Sequence, residues 1–390
     1  MTFVSEEGAL HERACEATGL SDFGDTAYLD GLRTLLKSLD EDAQLTPIGE
    51  FALRGMIIEA LVARLRSEAG FAASGEGAAA AVDAPLVTIG LPRTGTTALH
   101  HLLSQDSRWQ GLELWLTSAP KPRPPRNRWP DDPDFRACDD RMRALYERSP
   151  DMRAIHPMAA DLVDECWHLL AQSFAHSSFE ANAHVPGYSR WWANHDMRPA
   201  YHRHRRNLEL IGSGAPDRQW LLKDATHLFA LDAFIDVYPD ARFIHTHRDP
   251  VRVIPSVCSL CWAARAPLNR GEDKASFGRS TLLLWERAIL GALEVRRNQP
   301  AECFYDLGFD RFKRDPLAAI EGAYGHFGIE LDPGARDTMK TFRAANPPEQ
   351  HGAHRYTLEE WGLREGEIRE RFAGYMRAFD IAEETAPTAA

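Results

Sequence analysis

A chain of 390 residues with 44% hydrophobic and 26% charged side chains can bury a large core, which excludes wholesale disorder and leaves one or two domains open. Its net charge of −12 excludes a general nucleic-acid binder, which needs excess Lys and Arg, but permits a local basic pocket for a small anion. Six cysteines scattered at 15, 138, 166, 258, 261 and 303 are too sparse for a disulfide scaffold, so free thiols in a reducing cytoplasm are expected.

In chain order, the first residues contain early acids and no apolar stretch of signal length. Nowhere does an apolar run reach the ~18 residues of a membrane span, so a cytoplasmic chain without a transmembrane segment is expected. Residues 8 to 68 have apolar positions at helical spacing, and 69 to 85 are rich in small residues. Together they predict an N-terminal helical extension and linker over 1–84. The run "PLVTIG", 85 to 90, predicts a buried strand, followed by a glycine-bounded turn and the helix "TTALHHLLSQ". Residues 121 to 133, rich in Pro and Arg, read as an irregular loop, and 139 to 212 as a helical insertion covering the ligand edge of a sheet. Within it, "YSRWW" at 188 to 192 suggests an apolar wall for a ligand.

Further strands are predicted at 220–224, 241–249 and 302–307, separated by helices. Such alternation implies right-handed βαβ units and a parallel sheet covered on both faces. The expected fold is α/β, a three-layer P-loop NTPase-like domain over 85–380 with the N-terminal extension and the helical cover, ending in a disordered tail at 381–390.

The loop "GLPRTGTT" has Gly90 and Gly95 at the spacing of a nucleotide hydrolase's phosphate loop, but Thr96 stands where that motif requires lysine. It keeps the nest of backbone amides and loses the residue that serves a triphosphate. The positive charge sits inside the loop at Arg93, whose planar fork can hold two oxygens of a tetrahedral anion without a metal. In "FIHTHRDPVRVIPS", Arg248 ends a strand and Ser256 follows on the next helix, so guanidinium and hydroxyl could converge on a further anion.

Together these stretches resemble the two nucleotide-binding motifs of sulfotransferases that use 3′-phosphoadenosine 5′-phosphosulfate (PAPS). "LPRTGTT" is similar to the family's 5′-phosphosulfate loop, and Arg248 and Ser256 match its 3′-phosphate pair. The likeness extends from about 85 to 378 through "IHPMAADLVDEC", "WLLKDATHLFALDAFIDVYPDARFIHTHRDP" and "HGAHRYTLEEWGL". Two departures stand out: Arg93 replaces the lysine of the cytosolic small-molecule enzymes, as in tyrosylprotein sulfotransferases, and Phe309 replaces a tyrosine of the adenine pocket.

The resemblance implies metal-free, in-line transfer to an acceptor hydroxyl, with 3′,5′-adenosine bisphosphate (PAP) as the nucleotide product. Amides of Thr94, Gly95, Thr96 and Thr97 would bind the 5′-phosphate, and Arg93 and Lys223 would stabilise charge on the leaving phosphate. Arg355, beside His354, would close over the 3′-phosphate. Three residues compete for general base: Glu113, by its distance from Arg93; His227, which follows Lys223 by one turn; and Asp224, whose alternative is a helix cap. His156, Asp161 and Glu165 would lie on the acceptor-side cover, where a cap and salt bridges are equally open. His202, His204, His245 and His247 read as packing or hydrogen-bonding groups, and Cys258 and Cys261 as helix-face residues one turn apart, with no metal site. The acceptor is expected to be a small molecule, a hydrophobic alcohol or phenol being slightly favoured over a sugar or peptide tyrosine. The competing functions are a P-loop nucleotide kinase or NTPase, and a non-catalytic nucleotide-binding protein.

Overall fold

The apolar strand at Leu86–Gly90 (β1) is buried at every position, as a strand covered on both faces must be. In the computed structural model, which describes residues 2–75, 80–148, 158–347 and 356–385, it is the centre of a five-stranded sheet. The other strands are Trp109–Gln110 (β2), Gln219–Lys223 (β3), Arg242–His247 (β4) and Phe304–Gly308 (β5). The order is β2-β3-β1-β4-β5 and every pairing is parallel. Four strands fall where the sequence pattern predicts them; β2, only two residues long, carries no periodic signal of its own.

Alternation along the strands feeds two separate cores. Val87, Ile89, Leu222 and Phe243 enter the larger one, whereas Leu86, Leu221, Ile244 and Leu307 enter the smaller one. Helices therefore cover both faces, and the three-layer α/β expectation holds.

The helices used below are Glu7–Thr18 (α1), Tyr28–Glu41 (α2), Pro47–Ser74 (α3), Thr96–Leu103 (α4), Leu114–Ser118 (α5), Pro133–Arg148 (α6), Trp167–Leu170 (α7), Arg198–Gly212 (α8), Pro250–Arg265 (α9), Lys274–Arg296 (α10) and Glu365–Ala378 (α11). Helix α2 buries Leu32, Leu35, Leu36 and Leu39 as one apolar stripe. Helix α3 starts cleanly because the Thr46 hydroxyl accepts from the Gly49 amide (3.0 Å) and Pro47 opens the first turn. Buried Arg64 of α3 then donates to the carbonyls of Phe23, Asp25 and Gln172, and Arg203 of α8 pairs with Glu68 of α3 at 2.6 Å. These charge-assisted bonds dock the N-terminal helices onto the cover. Among the described residues no helix is long and apolar enough to cross a membrane.

Strand order reverses direction around β1: the chain runs from β1 to β2 and β3 on one side of it and then crosses to β4 and β5 on the other, which places a crevice at the strands' carboxyl ends. Gly90 closes β1 there at φ +147°, and a Cβ on it would lie 2.6 Å from the Thr246 carbonyl oxygen and 2.4 Å from its hydroxyl. Gly90→Ala is therefore expected to destabilise the fold by roughly 2–3 kcal/mol, read as a lowered urea midpoint.

Candidate active site

The turn after β1 is held by side chains so that its amides stay open. Thr94 buries its hydroxyl against the Leu91 carbonyl (2.6 Å) and the Thr246 hydroxyl (2.6 Å), stitching the loop to β4. Arg93 at φ +68° and Gly95 at φ +91° wrap the chain into the amino end of α4. The first amides of α4 have no partner within the helix and no side-chain cap at Gly95, and the helix dipole there favours an anion. Thr94 thus serves the loop with its side chain, leaving hydroxyl donors to Thr96 and Thr97.

On the β4 side, Arg93 Nε donates to Ser256 Oγ (3.2 Å) and Arg248 Nη1 to the Arg93 carbonyl (3.3 Å), so the two sequence motifs meet. Arg248 lies over the Phe309 ring at 4.1 Å. Its Nε and Nη2 grip both carboxylate oxygens of Glu384, at 2.9 and 3.0 Å. Of the tail expected over 381–390, the described part, 381–385, folds back here: the Glu384 amide donates to Asp249 (2.7 Å), its carbonyl accepts from Arg369 of α11 (3.2 Å), and Arg252 reaches the Thr385 carbonyl (3.3 Å). Arg355, His354 and His156 lie outside the described residues.

On the β3 side, Lys223 is 3% exposed. Its ammonium donates to Thr97 Oγ1 (3.1 Å) and pairs with Glu165, not with the adjacent Asp224. Glu165 is carried there by a short antiparallel pairing of 112–115 with 160–164, in which Glu113 opposes Val163, and by the Cys166 amide bonding to the Lys223 carbonyl (3.0 Å). Thr97, His101, Asp164, Glu165 and Lys223 line a small cavity of about 10 Å³ at this point.

The three bases suggested by sequence stand elsewhere. Glu113 is buried in a two-point pair with Arg123 (3.2 and 3.1 Å); burial raises its pKa against the pull of that guanidinium. His227 is fully buried, bonded to the Tyr201 hydroxyl (3.0 Å) and packed on Phe234; burial, aided by His204, holds it neutral. Asp224 accepts from the Thr226 amide and hydroxyl, both at 2.8 Å, as a cap. Burial and the neighbouring charge of Glu165 hold its carboxyl well above the usual range.

The paired histidines of β4 belong to a polar cluster. His247 shares Asp306 with Arg296 of α10 (2.8 Å to each), and Arg296 also reaches His245 Nδ1 (2.8 Å). His245, His247 and Asp306 are the one group of potential metal ligands among the described residues, and a guanidinium already neutralises that carboxylate. Although burial opposes it, the His247 and Arg296 bonds hold Asp306 well below the carboxylate range. His204 bonds the Tyr238 hydroxyl (2.6 Å), Cys258 and Cys261 sit on α9, and Asp161 faces Arg126 at 3.4 Å. The "YSRWW" aromatics are not a ligand wall: Tyr188 bonds backbone carbonyls, Trp191 bonds Asp30, and Trp192 packs on Phe229.

Glu165, which the resemblance places only on the acceptor-side cover, carries no local signal of its pairing with Lys223, and Glu384 carries none of its pairing with Arg248. They lie 58 and 136 residues from those partners.

The sequence profile of the sulfotransferase family matches residues 85–333. Sulfotransferase STF1 of Mycobacterium tuberculosis superposes with a TM-score of 0.89 at 37% identity, covering 96% of this chain and 100% of that one. Sulfotransferase STF9 of Mycobacterium avium gives 0.89 at 27% identity, with 98% of both chains covered. The omega-hydroxy-beta-dihydromenaquinone-9 sulfotransferase Stf3 of Mycobacterium bovis is 24% identical over 320 residues, 76% of each chain.

A raised carboxyl pKa in the folded state means that the native protein holds a proton the unfolded chain releases. Stability is then lost as pH rises from the ordinary aspartate value of about 3.9 toward the elevated folded one. Asp224→Asn keeps the cap and cannot ionise. Its melting temperature should exceed the wild type's by roughly 2–4 °C at pH 8, with the gap closing at pH 4.

Proposed function

The chain belongs to the sulfotransferase family and is a sulfotransferase, and we propose that it transfers the sulfuryl group of PAPS to a small-molecule hydroxyl, leaving PAP. The observation that carries the choice of donor is the convergence of Arg93, Ser256 and Arg248 beside the open amino end of α4. The residues fit the nucleotide. Arg248 already holds two oxygens of an anion, the position a 3′-phosphate would take with the Ser256 hydroxyl. The amides of 94–97 suit a 5′-phosphate, and the loop has no lysine for a triphosphate. Arg355 remains a candidate for the 3′-phosphate.

Bound in this way, PAPS supplies an activated sulfuryl group whose bond to the 5′-phosphate oxygen breaks as the acceptor oxygen bonds to sulfur. Arg93 and Lys223 flank the loop on opposite sides and offset charge as it builds on the leaving phosphate. Glu165 is the general base we favour over Glu113, His227 and Asp224. It alone of the four pairs with the Lys223 ammonium and lines the cavity beside Thr97. In the free protein the Lys223 ammonium occupies this carboxylate. An incoming anion that draws Lys223 toward the loop frees Glu165 to take the acceptor proton. No metal takes part in this scheme. The hydroxylated small molecule for which Stf3 is named belongs to the acceptor class proposed.

Calorimetric titration should show magnesium-independent PAP binding, weakened about 10- to 100-fold by Arg248→Ala. Glu384→Gln, which removes the charge competing for Arg248, should tighten it several-fold, on the order of 1 kcal/mol. Preference for Mg·ATP would reject the donor. Once an acceptor is in hand, Glu165→Gln should lower kcat by about 10²- to 10⁴-fold without weakening PAP binding; an unchanged kcat would reject Glu165 as the base.

A further inference from the structure

A second cavity, about 310 Å³, lies beyond the small one and at the lower end of the ~300–1,000 Å³ typical of small-molecule sites. The two adjoin through one side-chain pair: Asp164 lines the small cavity, and its partner His168, 3.4 Å away, lines the large one. Helix α7, which starts just after Glu165, supplies Trp167 and His168 stacked at 3.7 Å. The remaining walls are mainly apolar, with Met56 and Ala63 from α3, Leu114 from α5, and Met142 and Leu145 from α6. Methionines are unbranched and polarizable, and so adapt to apolar groups of irregular shape.

The charged groups are Arg141 of α6, which pairs with Glu59 of α3 at 3.8 Å and donates to Ser118 (3.2 Å), and Arg148, which donates to the Ala144 carbonyl (3.0 Å); the apolar side chains make up most of the lining. One wall comes from α3, which precedes the stretch matched by the family profile.

We propose that this cavity receives the apolar body of the acceptor, an alkylphenol or long-chain alcohol whose hydroxyl reaches Glu165, and that α3 forms part of the acceptor site. The inference rests on the sulfotransferase reading with Glu165 at the reacting end. Burial of each methylene against Met56, Met142 and Leu145 makes affinity rise with chain length, whereas a sugar would lose hydrogen bonds to water that these walls cannot replace.

The test measures sulfuryl transfer from PAPS to 4-octylphenol, phenol, methyl glucoside and tyrosine by the purified full chain, alongside PAP calorimetry. A kcat/KM about tenfold or more higher for 4-octylphenol than for phenol, with both above methyl glucoside and tyrosine, is expected. Ala63→Phe should raise KM for 4-octylphenol about tenfold, while KM for phenol and PAP affinity change less than about threefold. Should that variant misfold, Met142→Ala serves instead and should shift the preferred chain length upward. PAP binding together with equal or better turnover of methyl glucoside or tyrosine, or a cavity variant that leaves 4-octylphenol kinetics unchanged, would overturn the acceptor inference alone. Failure to bind PAP would remove the donor reading and this inference with it.

Discussion

The buried ammonium of Lys223 sets the terms for the rest of the site. A lysine 3% exposed at the end of a central strand needs a counter-charge, and removing one partner of such a pair costs about 3–5 kcal/mol. Glu165 supplies the charge, but only because 160–164 pairs with 112–115 and the Cys166 amide bonds the backbone of Lys223 itself. The same ammonium bonds Thr97, so one side chain ties together the sheet, the anion loop and the helical cover. The cover is thereby fixed in register over the crevice, and the small cavity, the Asp164–His168 pair and the larger cavity follow in sequence from that point.

A matching arrangement stands on the other side of β1. Arg248 is gripped by Glu384, whose backbone is held by Asp249 and Arg369. Two of the cations assigned to donor binding are thus neutralised by the protein's own carboxylates. A chain of net charge −12 thus keeps cations in this crevice, with Lys223 and Arg248 each paired to one of its own carboxylates. Arg93 differs, since its contact is the neutral hydroxyl of Ser256 and its cationic charge stays open to the crevice.

Burial also sorts the histidines. His227, His204 and His245 are shut in the core, where desolvation keeps them neutral and hydrogen bonds to Tyr201, Tyr238 and Arg296 fix their rings. A titratable residue close in sequence to Lys223 is therefore not a base merely by proximity. The side chain that does share the crevice, Glu165, comes from a different layer.

Much of this was legible in the residues. Four strands, the glycine-bounded loop, the missing lysine and the pair Arg248 with Ser256 are encoded over a few residues each, because apolar alternation, turn chemistry and strand-to-helix transitions are local properties of a chain. The helical period of α2 and α3 was equally plain, and with it the α/β class. Other features have no local code. The two-residue β2 exists only because its neighbour β3 is there to pair with it. The partners of Lys223 and Arg248 lie 58 and 136 residues away, and which carboxylate meets which cation depends on where helices and connections pack. Sequence alone determined four of the five strands and the glycine-bounded loop, since each rests on short-range pattern, and through the family resemblance the class of chemistry. Only the tertiary structure decided the charge pairs, the burial of Glu113, His227 and Asp224, and the cavity walled by α3, because desolvation and ion pairing are set by what the folded chain brings within a few ångströms.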